Sequence, residues 1–259
     1  MGLLVAYAGM MGLAVGSFLG LVADRLPRGE SIVTARSRCG SCGRVLAWWE
    51  LVPVISYLAL GGRCSGCRAR IPMRLLAVEV GTGALFAATS LRYGASLETV
   101  VTLAFLSLLG TIALVDLEEH LVLDVLVYPG ALLALALAPA TAWAAPGALL
   151  ASWGGALLGG AVGFGVLLAI YLASRGGMGA GDVKLAGLIG LMTGFPGVLV
   201  SLFVGFVAGG LVGATLLLLG LRGRKDAIPY GPYLAVGAAV SLLFGTAIIE
   251  WYLGLLGWR

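Results

Sequence analysis

The chain has 259 residues, of which 60% are hydrophobic and only 11% charged, and its mean hydropathy of +1.06 excludes a soluble domain with a solvated surface. The formal net charge of +4 comes from basic residues that border apolar stretches, which points to anionic lipid headgroups rather than to a nucleic acid. Forty-two glycines do not signal disorder here, because in lipid small residues drive helix packing by letting backbones approach; Gly154-Gly155, Gly159-Gly160-Ala161 and the run from Gly205 to Gly213 predict tight helix contacts.

Eight apolar stretches, at 3–22, 75–91, 98–115, 121–139, 148–172, 184–196, 198–220 and 231–256, predict an all-α polytopic membrane protein with about eight transmembrane helices. The reason is length: about 17 to 25 apolar residues cross a hydrocarbon core roughly 30 Å thick. The sixth stretch is short. The first looks like a signal peptide only superficially, since Arg25 and Arg28 follow its apolar run and no basic region precedes it; it is expected to stay attached as an anchor.

Basic loops are retained in the cytoplasm. The segment 23–74 carries Arg25, Arg28, Arg36, Arg38, Arg44, Arg63, Arg68, Arg70 and Arg74, and further loops on the same side carry Arg175, Lys184, Arg222, Arg224 and Lys225. Only Arg92 and Arg259 are left for the opposite side. An even number of spans with both ends outside reproduces this division. The expected organisation is a first transmembrane helix (1–22), a cytoplasmic loop domain (23–74) and a seven-helix membrane domain (75–259).

All four cysteines fall in that loop, as Cys39-Gly-Ser-Cys42 and Cys64-Ser-Gly-Cys67, two C-x-x-C knuckles separated by twenty-one residues. Four thiolates at this spacing close a tetrahedral zinc site, whereas two disulfides are disfavoured in a reducing cytoplasm. No histidine or carboxylate is placed to leave an open position, so the zinc is expected to be structural, supplying folding energy that a loop of this length lacks. Trp48, Trp49 and Leu51 lie between the knuckles and either form a small apolar cluster or rest at headgroup level.

Acidic residues are costly in hydrocarbon, which makes Glu79, Asp116, Asp124 and Asp182 candidates for function. Asp116 ends the third stretch, and Asp182 sits in Gly179-Ala180-Gly181-Asp182-Val183-Lys184, at the junction before the sixth and on the same predicted face. Two such carboxylates hydrolyse a peptide bond by sharing one proton, one activating water while the other polarises the carbonyl. Gly179 and Gly181 would let a substrate strand or an opposing helix come close. Against this stands the reading of each aspartate as a helix cap. His120, beside Glu118 and Glu119, reads as a solvated interfacial residue, and no nucleotide-binding fingerprint is present.

Taken in order, Gly16-Ser17-Phe18-Leu19, Asp24-Arg25-Leu26-Pro27, Arg36-Ser37-Arg38-Cys39, Pro53-Val54-Ile55-Ser56-Tyr57, the second knuckle, Glu79, Asp116, the block from Gly179 to Leu185 and Pro229-Tyr230-Gly231-Pro232 form a specific series. On these residues the chain resembles the bacterial type IV prepilin peptidases, membrane aspartic proteases of the GxGD type, from near its start to Gly237. The resemblance implies that Asp116 and Asp182 are the catalytic pair, and that Cys39, Cys42, Cys64 and Cys67 form the family's cytoplasmic zinc domain. Gly179, Gly181, Lys184, Glu79 and Asp124 are implied as supporting residues. The substrates would be prepilins or pseudopilins of a type IV pilus or type II secretion system, cut at the cytoplasmic face of the inner membrane. A second activity is implied as well, N-methylation of the new amino terminus with S-adenosylmethionine. Glu79 would serve one of the two activities or pair with an arginine. The chain departs from the family at Val122-Leu123-Asp124, where Ile-Pro-Asp is usual, at Leu75-Leu76 for Tyr-Pro, and at Gly20 for Asn.

Leaders of this type are short and basic, so Glu118, Glu119 and Asp124 are expected to attract them. The competing class is a non-catalytic membrane scaffold or transporter with a zinc module, in which the acids would relay ions. An archaeal-type preflagellin peptidase would keep the aspartates but lack the cysteines.

Overall fold

The structure is a computed structural model that describes residues 1–34, 36–140, 149–174, 177–221, 223 and 229–257. Arg175, Arg222, Arg224, Lys225 and Arg259, on which part of the predicted orientation rests, lie outside the described residues. The helices are α1 (Gly2–Arg25), α2 (Ile55–Ala59), α3 (Met73–Tyr93), α4 (Leu97–Glu119), α5 (Asp124–Leu137), α6 (Leu149–Ser174), α7 (Ala180–Thr193), α8 (Gly197–Leu218) and α9 (Gly231–Leu255). Each of the eight apolar stretches is therefore helical, and the described residues contain only isolated β-bridges, Arg38 with Val45 and Arg63 with Arg70.

Among the helices of these eight stretches, six are long and apolar enough to cross a membrane. The other two, α5 and α7, have 14 residues each; at 1.5 Å per residue they reach about 21 Å, short of a hydrocarbon core of about 30 Å. The sixth stretch also starts earlier than expected. Gly179 is extended, helix begins at Ala180, and Gly194 at φ 63° ends it. Asp182 therefore belongs to the first turn of α7 rather than to a junction ahead of it.

The chain forms two compact units, Met1–Thr99 and Val100–Arg259. In the first, α1 packs along α3, which the sequence analysis grouped with the later helices. Glycine makes this possible: a Cβ on Gly16 would lie 2.8 Å from the Glu79 Cα. In the second unit α7 is central, packing against α5, α6, α8 and α9, with Leu185, Ala186, Leu188, Ile189 and Met192 buried. Gly159 and Gly163 of α6 face the α7 backbone at Gly190 and Ala186, and Gly237 of α9 faces Ser201 of α8, each too closely for any side chain. The expected glycine contacts thus hold at Gly159, Gly160, Gly205 and Gly209. They fail at Gly154 and Gly210, which meet nothing within 4 Å.

Candidate active site

In the second unit, the buried α4 residues Phe105, Leu109, Ile112 and Val115 lead to Asp116 near the helix end. Asp116 and Asp182 are only 5% and 8% exposed, and they lie close enough for their charges to interact. Burying two carboxylates is costly unless each is hydrogen-bonded. The Gly231 amide, at the start of α9, donates to Asp116 Oδ2 over 2.8 Å, and the Gly179 amide lies near enough to the Asp182 carboxylate to interact with its charge. Three helices thus converge on one acidic pair.

The glycines around the pair divide their work. A Cβ on Gly231 would come within 2.7 Å of Asp116 Oδ2, and one on Gly179 within 3.4 Å of Asp182 Oδ2. Gly181 has a different neighbour: a Cβ there would lie 2.8 Å from the Val122 Cβ, so its close approach is to the turn between α4 and α5. Tyr230 and Gly231 are site residues that sequence reasoning passed over, although both lie in the Pro-Tyr-Gly-Pro run. Tyr230 is half-buried, stacks on Phe206 with ring centroids 6.3 Å apart, and lies near enough to feel the Asp182 charge. His120 is exposed at φ 53°, as its interfacial reading requires, and is near enough to Asp116 to interact with its charge.

Lys184 and Asp124 come together beside the pair. Lys184 Nζ reaches Asp124 Oδ1 at 2.7 Å and Oδ2 at 2.9 Å, and lies 5.7 Å from the centre of the Tyr128 ring. This bond ties the start of α5 to α7. With Lys184 as its partner, Asp124 is a paired carboxylate on an exposed surface.

Glu79 belongs to the first unit. Its Oε2 accepts the Val54 amide at 2.7 Å, which holds Val54 at φ 61°, and nearby Arg74 pairs with Asp24 at 2.8 Å. Glu79, Arg74 and Asp24, with Gly16, Ser17 and Tyr57, line a cavity of about 1400 Å³. Most of the sequence motifs of the first hundred residues meet there.

The four cysteine sulfurs lie within 4.8 Å of one another and are free thiols. Two equivalent hairpins present them. The Cys39 amide donates to the Arg44 carbonyl and Gly43 to Cys39; likewise Cys64 donates to Ala69 and Arg68 to Cys64. Gly43 and Arg68 occupy the matching left-handed position, at φ 70° and 59°. Amides of Cys67 and Gly66 favour the Cys64 thiolate and bring its pKa down to about 6, and amides of Cys42 and Ser41 lower Cys39 in the same way. Tetrahedral metal–sulfur bonds of about 2.3 Å require sulfurs about 3.8 Å apart, and Cys39 Sγ and Cys67 Sγ are 3.8 Å apart. The residues fit a divalent metal. Trp48, by contrast, is 80% exposed, with Trp49 and Leu51 also exposed, so they form no apolar cluster inside the loop.

Two family profiles match the chain: the Bacterial Peptidase A24 N-terminal domain over residues 10–93 and the Type IV leader peptidase family over residues 103–214. A prepilin leader peptidase/N-methyltransferase of Bacillus subtilis (strain 168) is 36% identical over 244 residues, covering 94% of this chain and 96% of the relative. Proteins of the same name from Pseudomonas putida and Pseudomonas aeruginosa are 34% and 31% identical, covering 98% and 96% of this chain and 95% and 93% of their own length. No solved structure matches the chain.

Proposed function

Since the chain belongs to the type IV leader peptidase family, we propose that Asp116 and Asp182 are the proteolytic dyad of a multi-pass membrane aspartic endopeptidase that removes the leaders of prepilin-like proteins. The observation that carries this is the convergence of two buried carboxylates from α4 and α7, the first tethered to the backbone at the start of α9. Held close, they share one proton: one carboxylate takes a proton from water as it attacks the scissile carbonyl, and the other, protonated, donates to the carbonyl oxygen. The scaffold or transporter alternative is not favoured. An ion path needs polar residues along the membrane depth, whereas these two acids form one site.

The substrates are prepilins or pseudopilins whose apolar helix lies in the bilayer while the leader stays in the cytoplasm. The excess of arginine in 23–74 supports placing that loop and both aspartates on the cytoplasmic side of the inner membrane. Within this arrangement, 1–22 is a first anchor, 23–74 the zinc domain and 75–259 the peptidase domain, with Gly179, Gly181, Lys184 and Asp124 supporting the pair. The loop metal is zinc. Changing any of Cys39, Cys42, Cys64 or Cys67 to Ser opens the thiolate site and loosens the loop; elemental analysis finds about one zinc per parent chain, and protein purified without chelator but lacking zinc would refute the assignment.

The second half of the relatives' name carries over as N-methylation of the cleaved product with S-adenosylmethionine. The cavity in the first unit supports this, because Glu79 and Asp24 offer carboxylates for a cationic methyl donor and the neighbouring arginines offer partners for its carboxylate. Incubating the purified protein with a candidate prepilin, with and without S-adenosylmethionine, tests both activities by the mass of the product's amino terminus. The expected product lacks the leader in both arms and gains a methyl group only in the first. An intact leader in both would overturn the peptidase.

A further inference from the structure

The metal loop contains a second cluster of charged groups that neither the peptidase nor the sulfur ligands account for. Arg44 Nη2 donates to Glu50 Oε1 at 2.6 Å, to Glu50 Oε2 at 2.9 Å and to Ser65 Oγ at 2.7 Å. Ser65 Oγ donates in turn to Glu50 Oε1 at 2.6 Å, and the Ala47 amide donates to Glu50 Oε2 at 2.8 Å. The Glu50 side chain is 2% exposed, yet it sits in a loop of few buried contacts. A carboxylate so buried is retained only if fully paired, and here every partner comes from a knuckle or from the turn between them.

Two features tie this cluster to the metal. Arg44 follows the first knuckle, Ser65 lies inside the second, and the Arg44 guanidinium is near enough to Cys64 Sγ for their charges to interact. The Arg44 Nε is also buried with no acceptor among the described residues, and Gly66 leaves room for it, since a Cβ there would lie 3.0 Å away. A buried donor without a partner is rare and calls for one. Four thiolates around a divalent ion carry a net charge of minus two, and the Cys64 sulfur is the one whose charge the Arg44 guanidinium is near enough to feel.

We propose that Arg44 is the charge-compensating partner of the four-cysteine metal site, donating Nε–H to the Cys64 thiolate. In the same proposal its salt bridge to Glu50 makes metal occupancy fix the turn that carries Trp48 and Trp49. The chain of contacts runs from metal to Cys64, Arg44, Glu50 and the Ala47 amide, just ahead of the 3-10 turn Trp48–Leu51. Arg44 is thus a positioning residue and not a ligand. Loss of the metal releases the guanidinium, and the turn with its exposed tryptophans loosens. This inference rests on the zinc assignment above.

The test uses the full chain, purified in detergent with its metal, titrated with a zinc chelator while zinc release and tryptophan fluorescence are both recorded. Arg44→Met is expected to weaken zinc binding about 10- to 100-fold, the range for losing an outer partner of a ligand. Arg44→Lys keeps the charge but not Nε–H and falls between the two. Glu50→Gln leaves the metal's neighbour in place, so zinc holds, but the zinc-linked fluorescence change is lost. That change must be present in the parent and absent when Trp48→Phe and Trp49→Phe are combined. Parent-like zinc affinity in Arg44→Met, or in Arg44→Lys should the first variant not accumulate, overturns the proposal, as does a full fluorescence change in Glu50→Gln. A parent protein without zinc overturns the metal assignment itself, which distinguishes that failure from this one.

Discussion

Asp116→Asn and Asp182→Asn each reduce prepilin cleavage by about 10³-fold or more, and the double variant is no worse than either alone. Residues that act as one unit are not additive, because removing either member already removes the shared proton on which the reaction depends. The amide keeps the carboxylate's shape and, at position 116, can still accept the Gly231 hydrogen bond through its oxygen. It also removes a charge whose burial is costly, so both variants should insert and fold. Cleavage assays on membranes with matched expression check this. Near-normal turnover in either single variant would remove the dyad and restore the non-enzymatic alternatives.

The helices were legible because their signal is length and hydropathy, and both aspartates because an acid in an apolar run has little structural reason to be there. The cysteine site was legible from spacing alone. What hydropathy hid was the start of α7: Ala180 to Val183 is too mixed to register as a span, and only the extended Gly179 shows where the helix begins. The same blindness applied to partners. Nothing in sequence order links Lys184 to Asp124 or Gly231 to Asp116, which are 60 and 115 residues apart. Arg44 and Glu50 looked like ordinary loop charges until the two hairpins folded them against Ser65. The glycine runs were misread in part for a related reason, since composition shows that a helix has a small face but not whether a neighbour covers it.

The other large effect is expected from a single methyl group. Gly231→Ala should lower kcat for prepilin cleavage by about 10- to 100-fold, although it removes no reacting group. Its backbone does not require glycine, because position 231 is not among the described positive-φ residues. The difficulty is space: the new Cβ would sit 2.7 Å from Asp116 Oδ2 and 3.2 Å from its Cγ, and both distances are shorter than normal contact. Asp116 is short and buried, with Val115 beside it fully enclosed, so the carboxylate can relieve the clash only by leaving the position in which the Gly231 amide holds it. Catalytic groups tolerate displacement of about 0.5 Å, and about 1 Å costs on the order of 100-fold. Substrate binding does not depend on that alignment, so KM should change less than kcat. Gly165→Ala is the control, because that glycine is helical and nothing lies within 4 Å of its added Cβ; it should cleave normally and fold at least as well, since alanine favours helix over glycine by about 1 kcal/mol. If Gly231→Ala turned over at the parent rate, α9 would not be holding Asp116 in register, and the backbone amide at its start would be a helix-end contact with no part in the chemistry.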